Sequence, residues 1–324
     1  MNRWTSGAVA AIVLLAALGW VALVAPAPAV PPLAGAVQDH SITVDRRARS
    51  FTTYVPARRV LDAGLVLVLH GSSMSGRRMR AATAYGFDEL ADRAGFVAIY
   101  PDGYGGYWND CRAVGDYVSK RERIDDVAFL RAVVDELIAR HDVPADRVFA
   151  AGLSNGGQMA FRLAYEAPDL VTAIAAIAAS IPAAGNQTCS ASGRPVATMI
   201  INGVDDPLNP FEGGEVALFR LFVRRGYVQS SLDSARYWAR LAGHMGDPQE
   251  ERMPDTDPAD GTSAIRWSWR SDARPDVVLI AVDGGGHTVP HSRGSFPRLL
   301  GRTSRDFSAP REIWGFFERA RRRE

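Results

Sequence analysis

The sequence carries almost no net charge, because its 37 lysine and arginine residues are balanced by 36 aspartate and glutamate residues, which leaves +1. So small an excess offers no bulk electrostatic attraction for nucleic acid or for an anionic membrane. The basic residues in the stretch 319–323 are typical of a solvated helix end, where cations also suit the helix dipole. The charge therefore predicts no nucleic-acid partner.

The chain also lacks internal repeats and any linker that would divide it into two globular parts. Hydrophobic residues make up 47% of its 324 residues and charged residues 23%, as in ordinary globular proteins. The Pro-, Asp- and Gly-rich stretch 254–261 is short enough to be a surface loop. We therefore predict one large domain over residues 37–324, preceded by a separate segment over residues 1–36.

This N-terminal segment has the organisation of an export signal. Arg3 precedes an apolar run over residues 8–24, and an Ala- and Pro-rich stretch with two small-x-small triplets, 25–27 and 34–36, follows. The run is long for a signal peptide and close to the about 20 residues that span a bilayer. A cleaved signal, which we favour, and an uncleaved membrane anchor both remain open, and either predicts a secreted or extracytoplasmic body. Apart from such an anchor, no membrane contact is predicted.

Only two cysteines, Cys111 and Cys189, occur in the chain. In an exported protein an even number of cysteines favours a disulfide bond. The alternative is a pair of buried free thiols.

Apolar runs alternate with helical patterns along the body. The runs predict strands buried on both faces of a sheet: 65–69, 96–100, 147–151, 172–178, 196–201 and 277–282. The helical patterns are 81–94, 127–141, 155–166, 231–241 and 309–321. An alternating stretch, 50–55, predicts an antiparallel edge strand. This order predicts an α/β fold with a mostly parallel central sheet and helices on both faces.

Residues 152–156 read Gly-Leu-Ser-Asn-Gly and match the G-x-S-x-G pattern between a predicted strand and a predicted helix. A tight turn in that position exposes the serine, and glycines on either side avoid a collision of Cβ atoms with neighbouring backbone. The helix N-terminus adds positive potential where negative charge develops. We predict that Ser154 is a catalytic nucleophile rather than an incidental serine in a Gly-rich turn.

A serine nucleophile needs a histidine base, which in this kind of fold follows it in the chain. His287 comes directly after a glycine run and the last predicted core strand, so a flexible loop can bring it over the sheet edge. The other downstream histidines, His244 and His291, are expected at the surface. We predict that His287 is the base.

The base in turn needs an orienting carboxylate between the serine and the histidine in the chain. Asp206 follows the strand predicted over 196–201, and the proline after it stiffens the backbone. Asp205 is its nearest competitor, and Asp283 is a weaker one because it lies too close to His287 along the chain. Asp206 is therefore the predicted acid.

Two backbone N–H groups are needed to stabilise the negative oxygen of the tetrahedral intermediate. The candidates are the N–H of Asn155, the residue after the nucleophile, and the N–H of Ser72, in the loop after the strand predicted over 65–69. His70, just before Ser72, is expected to brace its loop rather than act as a second base. The aromatic residues Tyr107 and Trp108 are expected either to form apolar walls for a substrate or to cap the core.

With these residues in place, the chain resembles the extracellular polyhydroxybutyrate depolymerase and feruloyl esterase group, related to carbohydrate esterase family 1, over residues 40–318. The matching segments are Leu69-His70-Gly71, Trp108-Asn109 with Cys111, Asp125-Asp126-Val127 with Phe129-Leu130, 152–157, Gly203 with Asp206-Pro207, and 285–288 with Pro290. The resemblance implies an α/β-hydrolase fold, puts Ser154, Asp206 and His287 on the triad positions, and puts Cys111 and Cys189 where a bridge is expected. It implies neither metal nor cofactor.

Two departures weaken any inference about the substrate. Members often carry Gly-Gly-His-Thr-Trp-Pro-Gly around the histidine, and here Val289 replaces the tryptophan. We expect Val289 to contact the substrate at this position, without the aromatic wall that a tryptophan would supply. Many members also have a second cysteine pair, near His244 and 270–272, which this chain lacks. Since fold-level likeness does not fix a substrate, polyester, feruloyl and acetyl-sugar esters all remain open.

The sequence thus predicts an exported serine esterase that acts on a small or oligomeric ester through an acyl-enzyme. An envelope acyltransferase with the same triad and a non-catalytic binding protein are the alternatives. A peptidase ranks lower, because the chain lacks the extra domain that many peptidases of this fold use.

Overall fold

The computed structural model describes residues 25–60, 62–217, 224–294 and 296–321. The apolar run 8–24 lies outside these ranges, and with it most of the predicted signal or anchor. No helix in the described ranges is long and apolar enough to cross a membrane.

The described part of the chain alternates strands with helices, as the sequence predicts. The strands are Ala36–Val44 (β1), Arg47–Val55 (β2), Leu65–Leu69 (β3), Val97–Pro101 (β4), Val148–Leu153 (β5), Ala173–Ile177 (β6), Ala197–Gly203 (β7), Gly214–Glu215 (β8), Tyr227–Val228 (β9), Gln249–Arg252 (β10), Ser263–Ser271 (β11) and Arg274–Asp283 (β12). The α-helices are Gly76–Ala82 (α1), Gly86–Ala94 (α2), Val118–Arg121 (α3), Asp126–His141 (α4), Asn155–Glu166 (α5), Ser231–Leu241 (α6) and Ala309–Arg321 (α7).

One large sheet organises the body, in the order β1-β2-β4-β3-β5-β6-β7-β12-β11-β10. Its centre, from β4 to β12, is parallel, and antiparallel strands extend it at both sides. Successive side chains of β3 enter two different cores: Leu67 packs with Phe129 and Phe161, and Val66 packs with residues of α1, α2 and α7. Helices therefore cover both faces of a mostly parallel sheet, as predicted.

The edges of the sheet differ from the prediction. The stretch 50–55 lies in β2, which pairs with both β1 and β4, so it is an interior strand and the predicted edge position is wrong. The sequence analysis does not predict the outer strands β1 and β10, because both are mostly exposed and polar and neither contains an apolar run. Since the carboxyl ends of the parallel strands carry the candidate residues, these edge differences leave the site in place.

The helix predicted over 81–94 is two helices, α1 and α2. The chain turns between them at Ala84 and Tyr85, whose φ angles of 49° and 60° are incompatible with a continuous right-handed helix. The two residues of the turn are neither glycine nor proline, and the nearby Gly86 is the first residue of α2, so the sequence does not indicate the break.

Cys111 and Cys189 form a disulfide bond between two loops at the carboxyl end of the sheet, 78 residues apart in the chain. The backbone beside it is also paired, since the N–H of Thr188 donates to the carbonyl of Cys111 at 2.8 Å. The predicted bridge is confirmed. It fixes the loop that carries Arg112, a residue of the cavity described below.

Replacing both cysteines with serine is expected to lower the free energy of unfolding by about 3 kcal/mol, because the unfolded chain regains the entropy of a long open loop. Urea unfolding with and without a reductant measures it. Reduced wild-type protein should fall to the stability of the double variant, which the reductant should not change. A double variant as stable as the oxidised wild type would contradict the expectation.

Candidate active site

Ser154 stands at the turn between β5 and α5, where the sequence predicts the nucleophile. Its φ of 54° and ψ of −113° are far from the ordinary regions for a residue with a Cβ, so the turn is strained. Its N–H donates to the carbonyl of Ile177 at 2.8 Å, and its carbonyl accepts from the N–H of Gln158 at 2.9 Å. These bonds and the buried helix behind the residue hold a partly exposed hydroxyl in a cavity.

The two glycines of the motif allow backbone to pass close to this turn. A Cβ on Gly152 would lie 2.2 Å from the carbonyl oxygen of Gly156, and one on Gly156 would lie 2.3 Å from that of Leu69. These contacts bring the loop that follows β3 against the start of α5. Ser72, in that loop, therefore lines the same cavity as Ser154.

Gly156→Ala is expected to lower the free energy of unfolding by at least about 2 kcal/mol, because backbone rather than a flexible side chain blocks the new methyl group. Gly315→Ala is the matched control, since Gly315 is also helical and no atom lies within 4 Å of its added Cβ. That change should stabilise by about 0.5–1 kcal/mol through helix propensity. Urea unfolding of both variants decides, and equal effects would contradict the close approach.

The side chain of Asn155 joins three segments beneath the turn. Its Oδ1 accepts from the backbone N–H of Trp108 at 2.8 Å, and its Nδ2 donates to Asp110 Oδ2 at 2.6 Å. Trp108 Nε1 donates to the carbonyl of His70 at 2.9 Å, and His70 Nε2 accepts from the N–H of Gly103 at 2.8 Å. His70 therefore braces the loops from inside, and its burial lowers its pKa and keeps the ring neutral.

The predicted oxyanion donors are free to bind. Within the described residues, neither the N–H of Ser72 nor that of Asn155 has a hydrogen-bond acceptor. The first N–H groups of a helix have no partner inside the helix, and Asn155 begins α5. Ser72 lines the cavity together with Ser154, and Asn155 follows Ser154 directly in the chain.

His287 and Asp206 lie together, brought there by a close approach of two loops. A Cβ on Gly203, at the end of β7, would lie 2.3 Å from the carbonyl oxygen of Gly285, so only glycine fits. His287 Nδ1 lies 2.7 Å from Asp206 Oδ2. The other oxygen, Oδ1, accepts from the N–H groups of Leu208 at 2.7 Å and Asn209 at 2.9 Å. The carboxylate is thus fixed and aimed at the imidazole.

The residues that the sequence offered as alternatives to Asp206 and His287 do not line the catalytic cavity. Asp205 and Asp283 are exposed. His244 Nε2 lies 2.9 Å from the carbonyl of Pro275, and His291 Nδ1 accepts from the N–H of Arg293 at 3.0 Å. Both histidines are buried, at 8% and 5% exposure, so the expectation that they lie at the surface is wrong. His244 thus packs against β12, and His291 packs against Gly86 at the start of α2, contacts between distant segments that no periodic pattern indicates.

A cavity of about 640 Å³ contains the site, and Ser154, Ser72 and His287 all line it. Its other lining residues are mainly apolar, among them Met74, Leu153, Val216 and Phe296, and residues 25–28 lie along it. Within the described residues no hydrogen bond joins Ser154 Oγ to His287. Catalytic hydrogen bonds are often long in a protein without substrate and tighten in the complex.

The expected substrate contacts of Trp108 and Val289 are wrong, and for Trp108 the alternative position in the core is the one observed. Trp108 and Val289 are each 0% exposed and belong to the hydrophobic cores, so neither side chain reaches the cavity. Trp108 is held inside by its bonds to Asn155 and His70. Tyr107 is partly exposed, and its hydroxyl pairs with Ser73 Oγ at 2.5 Å. Sequence reasoning missed the arginines of the cavity, Arg112 and Arg225, because nothing in their neighbourhood distinguishes them from surface arginines.

Comparisons with known proteins find esterases. The family model described as esterase PHB depolymerase matches residues 49–196. The putative esterase NocK of Nocardia uniformis subsp. tsuyamanensis is 32% identical over 338 aligned residues, which cover 95% of this chain and 96% of that protein. The probable feruloyl esterase C of Aspergillus clavatus is 27% identical over 193 residues, 60% of this chain and 57% of that protein.

Among solved structures, the acetyl xylan esterase from Aspergillus awamori superposes with a TM-score of 0.53 at 18% identity. The match covers 78% of this chain and 95% of that one. It confirms the predicted α/β-hydrolase fold.

Proposed function

Because the chain belongs to the esterase PHB depolymerase family and is a carboxylic-ester hydrolase, we propose that it cleaves esters with Ser154 as nucleophile, His287 as base and Asp206 as orienting acid. The hydrogen bond between His287 and Asp206, beside the cavity that Ser154 lines, is the observation that carries the proposal. A binding protein would need neither this pair nor a strained serine.

The first half of the reaction forms an acyl-enzyme. Asp206 accepts a hydrogen bond from His287 Nδ1–H, which holds the imidazole in the tautomer whose Nε2 is unprotonated and able to take the proton of Ser154 Oγ. Ser154 Oγ then attacks the ester carbonyl, and the N–H groups of Ser72 and Asn155 stabilise the negative oxygen. When the carbon–oxygen bond breaks, His287 returns the proton to the leaving alcohol.

The second half repeats these steps with water. His287 Nε2 takes a proton from a water molecule, whose oxygen attacks the acyl carbonyl under the same two N–H groups. The bond to Ser154 Oγ breaks, the serine regains its proton from His287, and the carboxylic acid leaves. The sequence of steps needs only the residues of this chain and water.

Small or oligomeric esters suit a cavity of about 640 Å³ better than the surface of a solid polymer. The test is a panel of soluble hydroxybutyrate oligomers, methyl ferulate and acetylated xylan, with the acid and alcohol products identified. Free acid is expected as the main product even when a simple alcohol is present. Ester exchange that exceeds hydrolysis would favour an acyltransferase, and no turnover of the panel or of a short aryl ester would contradict the proposal.

Export is part of the proposal. The apolar run 8–24 after Arg3 supports it, and so does the disulfide, because such bonds persist mainly in oxidising compartments. We propose that residues 1–36 form the export segment and residues 37–324 the esterase domain, with Ala36 at the boundary already paired with Val55 as the first residue of β1. N-terminal sequencing of protein recovered from the extracytoplasmic fraction distinguishes a cleaved signal from an anchor.

A further inference from the structure

The catalytic cavity has an uneven distribution of charge. Three arginines line it, Arg78, Arg112 and Arg225, whereas none of the described lining residues is an aspartate or a glutamate. Arg78 is exposed, but Arg112 is only 4% exposed and Arg225 is partly buried. Buried guanidinium groups stay charged at neutral pH and are costly to hold without a counter-charge. Their presence in a mainly apolar cavity therefore needs a reason.

The nearest carboxylate is already engaged. Asp110 pairs with the guanidinium of Arg112, with Nε at 3.1 Å and 3.2 Å from its two oxygens. Lys120 Nζ lies 3.9 Å from Asp110 Oδ1, and Asn155 Nδ2 also donates to this carboxylate. The carboxylate of Asp110 thus forms ion pairs with Arg112 and Lys120, and its effect on the more distant Arg225 is only a minor one.

Arg225 has no ion-pair partner within the described part of the chain. Its guanidinium lies over the ring of Tyr117, 4.8 Å from the centroid, and its Nε is buried without a hydrogen-bond acceptor among the described residues. Burial, reinforced by the charge of Arg112, lowers the pKa of Arg225. Burial likewise raises the pKa of Tyr117 well above its usual value, so the phenol stays neutral and supplies no counter-charge.

We propose that the ester cleaved at Ser154 carries a carboxylate, which Arg225 binds beside Arg112. This substrate class rests on the proposed function. A guanidinium offers paired N–H groups that match the two oxygens of a carboxylate. The apolar residues of the cavity then contact the carbon chain between the carboxylate and the scissile ester.

Matched esters test the proposal. The first pair is 4-nitrophenyl adipate with a free terminal carboxylate and its methyl ester, in which a neutral ester group replaces the charged carboxylate on the acyl side; release of 4-nitrophenol is measured for both. The second pair, 4-acetoxybenzoate and its methyl ester, carries the difference on the alcohol side. The wild type is expected to prefer the acid of one pair by about tenfold or more in kcat/KM, mainly through KM.

For the pair in which the wild type prefers the acid, Arg225→Gln should bring the ratio of kcat/KM between acid and methyl ester close to one. Arg225→Lys should retain part of the preference. The matched control is Arg224→Gln, which removes the same charge from an exposed neighbour that lies 3.5 Å from Glu215. It should keep the ratio. A ratio that survives Arg225→Gln would overturn the assignment, and if that variant does not fold, the wild-type ratios decide.

The outcomes distinguish a failure of the carboxylate proposal from a failure of the proposed esterase function. Turnover of all four esters with both wild-type ratios near one would overturn the carboxylate proposal and leave the esterase function standing. No turnover of any of them would overturn both.

Discussion

Ser154→Ala is expected to lower kcat for a short neutral aryl ester by about 10⁵-fold or more, while the protein stays folded. Without Oγ there is no covalent intermediate, and the remaining groups can only assist direct attack by water. The substitution should not disturb the fold, because within the described residues Ser154 Oγ makes no hydrogen bond and the backbone bonds of the turn remain.

The control is Ser292→Ala, which removes an exposed hydroxyl outside the catalytic cavity. Its kcat should equal that of the wild type. Urea unfolding should give all three proteins the same free energy of unfolding within about 1 kcal/mol. Turnover by Ser154→Ala within tenfold of the wild type would contradict the assignment of the nucleophile.

Asp206→Asn is expected to lower kcat by about 10³–10⁴-fold with little change in structure. The N–H groups of Leu208 and Asn209 require an acceptor at the position of Oδ1, so the amide oxygen must take that place. The amide NH₂ then faces His287 Nδ1 and can only donate. This forces the proton of His287 onto Nε2, where it can no longer accept the proton of Ser154.

Asp205→Asn provides a matched control, since it changes the adjacent, exposed carboxylate in the same way. Its side chain has no role in the proposed reaction, so kcat should remain within about twofold of the wild type. Steady-state kinetics of the two variants decide whether Asp206 or Asp205 is the orienting acid. Equal losses, or a larger loss for Asp205→Asn, would contradict the assignment.

Local signals in the sequence predict much of this molecule. The parallel strands are continuous apolar runs, and the strand-to-helix turn at Ser154 is marked by glycines whose Cβ atoms would strike backbone. The pairing of His287 with Asp206 follows from the chain order of the fold once the last strands are placed. The strands and the turn depend on short stretches of chain, and the pairing depends on the order of elements in the fold, so the sequence alone is enough to predict them.

Other features depend on contacts between distant segments. Trp108 looks like a substrate contact in the sequence, but its bonds to Asn155 and His70 turn it into the core. The role proposed for Arg225 rests on its position beside Arg112 and on the absence of a carboxylate partner among the described residues. No periodicity or motif reports such a neighbourhood.

The most direct measurement is mass mapping of a fluorophosphonate probe on the purified protein. Such probes phosphonylate a serine hydroxyl only where a base has activated it. We expect one label, on the peptide that contains Ser154, with no label on Ser154→Ala and slower labelling of Asp206→Asn. A folded wild-type protein that takes no label, or that takes it on a different serine, would contradict the account.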